Sequence, residues 1–496
     1  MSSMIGTYYL GYSGMSVNQT ALATISHNLA NVNTTGYSRQ RVNTSELVNV
    51  GGVVGSGTTT ESVTRLRNTM LDQTYRTENA DLSYYEAKDE MLTAAEELLG
   101  DFSTTTSDDS ADETGVQLAM EDFFDSWEEL AKDLSSTSAQ DTVLETAASL
   151  VDLLAELDSQ LQQLQTECAD QVYESVNSLN DLATQVASLN EQISRAEAKG
   201  YSANDLEDQR DALVDEMSNL TDLTVNVQTD GTYEVLIGGV YLVRGTQTHT
   251  LVVTGDGTSS DPLAVTWAET GKDAELASGS IEALLEEADQ SAVRSIAESN
   301  LPYDFDPSSA GTIGELRQSL NALITTIAYS VNDLFSSGTT LDGTTASGVL
   351  FFVNGDTDDE TGMNISNIRI NTELSADSSL LAVSASGEAS DGGIATAIAS
   401  LADSELLAAD GLSKSVGDYY TAAVSWLATE RETTEGLVAT QDSLVTQTDT
   451  DRLAISSVSM EEELTKMITY QSAYSASAKY LNLVDGLVSD IISLIR

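Results

Sequence analysis

The last thirty-seven residues keep a seven-residue repeat without a break: Met460, Leu464, Met467, Gln471, Tyr474, Ala478, Leu481, Asp485, Val488, Ile492 and Ile495, spaced alternately by four and three. At about 1.5 Å per residue such a helix runs to about 50 Å, too long and too thin to be stable alone, so the chain must find it a partner. Ser459 and Glu462 form the S-x-x-E box that would start it, hydroxyl and carboxylate each satisfying a free backbone N–H. The N-terminus has a matching, weaker stripe at Met15, Asn18, Leu22, Ile25, Leu29 and Val32, bounded by Asn33 and the Thr35-Gly36 turn. Periodicity alone leaves two readings open. The ends pair as a coiled coil that stacks against copies of itself, Ala- and Ser-rich stretches such as 472–478 allowing close approach, or they close an ordinary helical hairpin.

Between the ends, three prolines, Pro262, Pro302 and Pro307, all lie in the middle, so nothing interrupts helices on either side. From Leu157 an apolar stripe runs through Leu161, Leu164, Cys168, Val172, Val176, Leu179, Leu182, Val186, Leu189 and Ile193, the mark of a long bundle helix. Leu316 to Leu334 repeats the pattern, and 419–444 does so less regularly. The period falls to two at Leu223, Val225 and Val227, then Tyr233, Val235 and Ile237 beyond Asp230-Gly231, which predicts a hairpin and further strands to residue 270. Val349–Val353 and Ile365–Ile370 add strands within a loop-rich stretch. The expected fold is mainly α with a β insertion. It has a terminal α-helical coiled coil (1–45 and 452–496), an elongated helical bundle (46–220, 312–337 and 403–451), a β-rich outer domain (221–311) and a strand-and-loop segment (338–402) attached to the bundle or to the outer domain.

The 496 residues include 79 acidic and 21 basic side chains, a net charge of −58 that repels nucleic acid and anionic lipid, so neither is expected as a partner. The charge is uneven: residues 1–80 sum to +1 and 452–496 to −1, leaving all of it to the middle, as suits ends that pack in many copies. His27, His249 and Cys168 are the only His and Cys, too few for a triad or a zinc site. Cys168 lies on an apolar stripe and reads as core, and His27, beside Asn28, as a packing residue. The acidic run at 354–360 lacks the glycine and glutamate of a calcium loop, and the glycines of 51–57 do not fit dinucleotide spacing. Tyr233, Tyr241, Trp267 and Tyr303, the aromatics a sugar-binding β domain could use, are explained as well by its core. No catalytic, cofactor-binding or metal residue is assigned. Residues 1–12 lack a basic segment followed by an apolar run, and no stretch approaches a membrane span, so if the protein leaves the cell it does so by another route than a signal peptide.

Residues 25–42, ISHNLANVNTTGYSRQRV, resemble the N-terminal motif shared by the bacterial flagellar rod, hook and hook-associated proteins, and the Tyr37-Ser38-Arg39-Gln40 ending resembles the members at the hook-filament junction. SSVSMEEELTKMITYQSAYSASAKYL, 456–481, is similar to their terminal helix, and ANDLEDQRDALVDEMSNL, 203–220, to their bundle segment. Departures are Thr35 for a common proline, Ser457 for glycine and Glu461 for aspartate. The resemblance implies an extracellular, non-enzymatic subunit of the ring joining hook to filament. Its partners would be copies of itself, the hook protein, the neighbouring hook-associated junction protein and an export chaperone on the C-terminal helix. Export would run through the flagellar type III channel. The alternatives are a hook or distal rod subunit, which should lack the 203–220 segment, or an adhesin or enzyme domain displayed on such a scaffold. The polymerisation surface is then expected at Leu22, Ile25, Asn28, Leu29, Asn31, Val32, Asn33, Gly36, Tyr37, Arg39 and Gln40. From the C-terminal end it is joined by Leu464, Met467, Gln471, Tyr474, Ala478, Leu481, Val488, Ile492 and Ile495.

Overall fold

A computed structural model describes residues 2–47, 55–101, 115–258, 261–290, 293–294, 296–297, 299, 301–305, 311–343, 349–388, 390–409 and 411–495. The glycine run at 51–57 lies partly outside them, and for Ile492 and Ile495 only the backbone is described.

Helices dominate: α1 (Ser2–Ala30), α2 (Thr69–Asp101), α3 (Val116–Lys132), α4 (Thr137–Glu197), α5 (Asn204–Leu220), α6 (Ser280–Glu287), α7 (Thr312–Ser336), α8 (Thr372–Ala376), α9 (Gly393–Ala399), α10 (Val416–Ser456) and α11 (Met460–Ile495). The 61 residues of α4 start at Ser136, whose hydroxyl accepts from the Ala139 N–H, and contain no proline to break them. Their apolar stripe buries every position from Leu157 to Ile193 that the periodicity marks. Around this spine α3 and α5 pack on α4, α10 lies along α2, and α7 touches α4 and α10.

Two buried carboxylates fix how these helices meet. Asp158 of α4 takes two hydrogen bonds from Arg317 of α7, at 2.7 and 3.1 Å, while Arg317 Nη1 donates to Gln165 Oε1 at 2.8 Å. Slipping either helix by a turn would strand a buried charge, so the pair sets register. Glu287, at the end of α6, accepts from the N–H groups of Thr312 and Ile313 at 3.1 and 2.9 Å and so caps α7.

The strands form small sheets. β1 (Gln40–Glu46) and β2 (Thr58–Arg65) make an antiparallel ribbon laid on α1. Its polar sequence has no apolar alternation, so periodicity did not announce it. β3 (Thr224–Val227), β4 (Tyr233–Ile237), β5 (Val240–Arg244) and β6 (Gln247–Thr248) run as an antiparallel meander, turning at Gly231, whose φ of 76° only glycine adopts easily. β7 (Leu251–Thr254) pairs with β8 (Ala264–Trp267), β9 (Asp304–Phe305) joins a later sheet, and β10 (Phe352–Asn354) pairs with β11 (Ile368–Ile370). β12 (Leu407–Ala409) lies between β9, in parallel, and β13 (Leu412–Lys414), antiparallel.

The molecule is therefore mainly α with a β insertion. The 338–402 stretch packs on bundle helices: Phe351 stands 5.5 Å, ring to ring, from both Trp127 of α3 and Phe335 of α7. Tyr233 and Trp267 are core residues of the β insertion, while Tyr241 lies under the Arg244 guanidinium. The acidic loop at 354–360 is held by its own groups, Asp359 accepting from the Thr361 N–H and the Thr357 hydroxyl.

Candidate assembly site at the paired chain ends

Helices α1 and α11 lie side by side and antiparallel. Gly11 faces Tyr480 and Leu481, Gly14 faces Ser477, and Asn28 meets Glu463. The approach is close because Gly11 has no side chain: a Cβ there would sit 2.8 Å from Tyr480 Cδ1 and 3.0 Å from Leu481. Along the seam Val17, Ala21, Ile25 and Val484 are buried.

At the base of the pair Asn28, 1% exposed, uses its whole amide. Its nitrogen donates to the Gln40 carbonyl and to Glu463 Oε2, both at 2.9 Å. Its oxygen accepts from the Tyr37 hydroxyl at 2.8 Å and the Gln40 N–H at 2.9 Å. Burial, then the charges of Asp205, Asp208 and Glu463, push the Tyr37 hydroxyl far up, so it remains a donor. The Arg39 N–H donates to the Ser456 carbonyl at 2.8 Å, where α10 gives way to α11, and Arg39 Nη1 reaches Glu462 at 2.7 Å. One short loop thus ties α1, α10 and α11 together.

The same loop reaches the bundle. His27 Nε2 lies 3.1 Å from Asp205, Gln40 Nε2 donates to Asp205 at 2.9 Å, and the Ser38 N–H donates to Asp208 at 3.0 Å. Beneath it Asp208, Asp211 and Asp215, spaced by three and four on one face of α5, meet arginines from both ends of the chain. Arg65 contacts Asp208 and Asp211 at 2.7 Å, Arg76 contacts Asp215 at 2.7 Å, and Arg452 contacts Asp215 at 2.6 Å. Burial alone would raise Asp211, but Arg67, Arg65 and Arg76, with a 2.6 Å hydrogen bond from Tyr233, hold its carboxyl well below the usual range.

The structure gathers many of the expected residues here and turns others away. Ile25 and Asn28 are buried in the seam. Leu22, Leu29, Asn31, Val32, Tyr37, Arg39 and Gln40 are half-buried around the base, whereas Asn33 and Gly36 are exposed in the turn. Met467, Tyr474, Ala478, Leu481 and Val488 are half-buried towards α1, whereas Leu464 and Gln471 face outward. Side chains of Ile492 and Ile495 lie outside the described residues. Only half of the expected capping box forms. Ser459 Oγ accepts from the Glu462 N–H at 3.5 Å, but the Glu462 carboxylate goes to Arg39 and Lys466, two cations outcompeting one backbone donor.

Sequence reasoning passed over Gly11 and Gly14, Glu463, and the arginine–aspartate cluster. The signals present were the glycine spacing, which permits close helix approach, and the one-sided spacing of the α5 aspartates. The site brings together no nucleophile and base. Among the described residues no group of three or more His, Cys, Asp or Glu is arranged to hold a metal ion.

Comparison with known proteins returns one consistent set. A family model described as flagellar hook-associated protein FlgK helical domain matches residues 105–352, half of the chain. A flagella basal body rod protein model matches 9–37, and a flagellar basal body rod FlgEFG protein C-terminal model matches 451–494. Flagellar hook-associated protein 1 of Bacillus subtilis (strain 168) is 27% identical over 97% of this chain and 96% of its own length. The protein of that name in Escherichia coli (strain K12) is 30% identical over 54% of this chain and 47% of its own. The structure of the flagellar hook junction protein FlgK from Burkholderia pseudomallei superposes with a TM-score of 0.61 at 15% identity, covering 77% of this chain and all of that one, which is a likeness of fold.

Proposed function

From the premise that this chain belongs to the flagellar hook-associated protein FlgK family, we infer that its paired ends polymerise it into the flagellum. The chain is a structural subunit of the bacterial flagellum at the junction of hook and filament. The observation that carries the polymerisation reading is the antiparallel α1–α11 pair, anchored at its base by Asn28 and Glu463 and covered on one side only. An ordinary hairpin closing a globular domain would be polar where it meets water, whereas here Leu464, Ile468, Leu483 and Leu487 stand exposed. The family's helical-domain model covers the 203–220 segment, which favours a junction subunit over a hook or rod subunit.

The seam and its base hold α1 and α11 together as the assembling unit, 1–45 and 452–496, with 46–220, 312–337 and 403–451 as bundle and 221–311 as outer domain. The 338–402 segment belongs with the bundle, because its aromatic cluster packs on α3 and α7. The partners are copies of the chain, the hook protein and the neighbouring junction protein. Before export through the flagellar type III channel, a chaperone covers α11, whose apolar side chains would otherwise stand in water. No described helix is long and apolar enough to cross a membrane. The protein works mechanically and catalyses no reaction.

Deletion of residues 456–496 tests this. Arg452 and its ion pairs remain, so the truncated chain should stay soluble and helical but fail to enter flagella, read by immunoblot of isolated flagella; normal incorporation would refute the reading.

A further inference from the structure

Helices α2 and α10 run antiparallel, Arg452 stacking on the Tyr75 ring at 3.8 Å towards one end and Arg431 reaching Glu96 at 3.0 Å towards the other. Both flanks of the pair are well closed. Val416, Tyr419, Tyr420, Ala423 and Leu427 are buried at one, and Arg452 meets Asp72 and Asp215 at the other. The middle is different. Among the described residues, the buried side chains of α10 between Leu427 and Val445 are Thr434 and Gln441, a heptad apart, and no side chain of α2 between Leu82 and Met91 is fully buried. The leucines of the same stretch, Leu437 and Leu444, face water at 41% and 46% exposure. Thr434 donates to the Glu430 carbonyl of its own helix at 2.9 Å, and Gln441 donates to the Glu78 carbonyl at 3.0 Å and to the Glu78 carboxylate. With polar groups at its core positions and its leucines turned outward, this stretch is the least stable part of the pair.

Carboxylates close in on it. Asp89 Oδ1 is shut off from water and accepts no hydrogen bond among the described residues. The charges facing Asp89 from α10 are Arg431 and Glu435, and Arg431 is already shared between Glu96 and Glu435. Glu86, one turn earlier, lies near Asp442 of α10. Lys88, the cation beside them on α2, pairs with Glu430 at 3.6 Å and lies towards Glu287 of α6. On the opposite face of α2, Tyr84 donates to Glu286 of α6 at 2.6 Å, and Glu90 lies towards Cys168 of α4. Burial pushes the Asp89 carboxyl above its ordinary range against the pull of Arg431, with Glu435 adding to the rise, and partial burial followed by Asp442 raises Glu86. Raised values in the closed seam mean that it binds protons more tightly than the open one. Its stability therefore grows as pH falls towards the ordinary carboxylate range near about pH 4 and is lost as pH rises through the raised values.

We propose that the middle of the α2–α10 pair, 83–90 against 428–444, is a proton-sensitive weak point built into the body of the molecule, opening first at neutral pH and tightening on acidification. It lies outside the assembling ends. Because the aromatic and apolar flank at Leu427 and the ion-paired flank at Arg452 both stay closed, the seam opens between two clamps, and the body yields along its length without unpairing α1 and α11.

The test is amide hydrogen exchange of the full chain at about pH 7.5 and about pH 5, each corrected for the intrinsic pH dependence of exchange. At the higher pH, peptides within 428–444 should exchange about tenfold faster than those within 416–427 and 445–456, and at the lower pH that gap should narrow by about threefold or more. The double variant Glu86→Gln with Asp89→Asn should keep the native helix content by circular dichroism and show the narrowed gap at both pH values. Uniform exchange along α10, or a pH dependence in 428–444 that survives in the double variant, would overturn the proposal. So would faster exchange in the double variant than in the native chain at the higher pH, because the two carboxylates would then be holding the seam together. A second variant leaves those carboxylates in place. Thr434→Val, nearly the same shape and β-branched like threonine, should slow exchange within 428–444 at both pH values while the pH dependence remains. Unchanged or faster exchange there would place the weakness elsewhere and overturn the proposal as well.

Discussion

Asp211 is the residue on which the junction turns, because its two oxygens collect Arg65, Arg67, Arg76 and the Tyr233 hydroxyl at 2% exposure. Removing the charge while keeping the shape, as in Asp211→Asn, leaves three arginines facing a neutral amide in a nearly dry site. Breaking a buried pair in this way costs about 3–5 kcal/mol, a large part of a domain's stability, and should appear as a lower midpoint in urea unfolding. The pH dependence has a definite sign. The folded-state value is depressed below the unfolded one, so the stabilisation is fully present above about pH 4, the unfolded range, and is lost as pH falls towards the folded value. Asp211→Asn should therefore flatten the acid limb of the stability curve below about pH 4. An acid limb as steep as that of the native chain would mean that other carboxylates carry it.

At the scale of elements, the same spacing argument succeeds where one face is buried and falters where two are used. The α4 stripe came through position by position because water meets only its other side. The C-terminal repeat was legible as a helix needing a partner, but not as to which residues meet α1. Met460 and Leu464 obey the repeat yet face away, and Glu463, a carboxylate, is buried instead because Asn28 and Lys466 satisfy it. Nor does a polar ribbon such as β1–β2 announce itself, since its partner is supplied by α1 rather than by its own alternation. The glycines of α1 give a direct check on the seam. Gly6→Val meets nothing within 4 Å and should leave the pair intact, whereas Gly11→Val drives into Tyr480 and Leu481. The second should lose about 1–3 kcal/mol of local stability, measured as faster amide exchange in α11 around 477–484 with the bundle unchanged. Equal exchange in the two variants would mean that the helices are not this close.

At the scale of the molecule, the distribution of charge decides how copies can come together. The −58 resides in residues 81–451, while both ends are close to neutral, so on the proposed assembly the bodies of neighbouring copies repel while their ends attract through apolar contact. The two terms respond oppositely to salt. Repulsion between the bodies is long-ranged and weakens as the Debye length falls from about 10 Å at 0.1 M to about 3 Å at 1 M, whereas apolar contact is not screened. The arginine–aspartate cluster is internal and nearly dry, so it too is little affected. Self-association of the full chain, followed by sedimentation, should therefore strengthen as salt rises across that range. If the ends met instead through ion pairs such as Arg39 with Glu462 exchanged between copies, the same titration would weaken it. The direction of that one curve thus separates an assembly driven by uncharged helix faces from one driven by charge pairing.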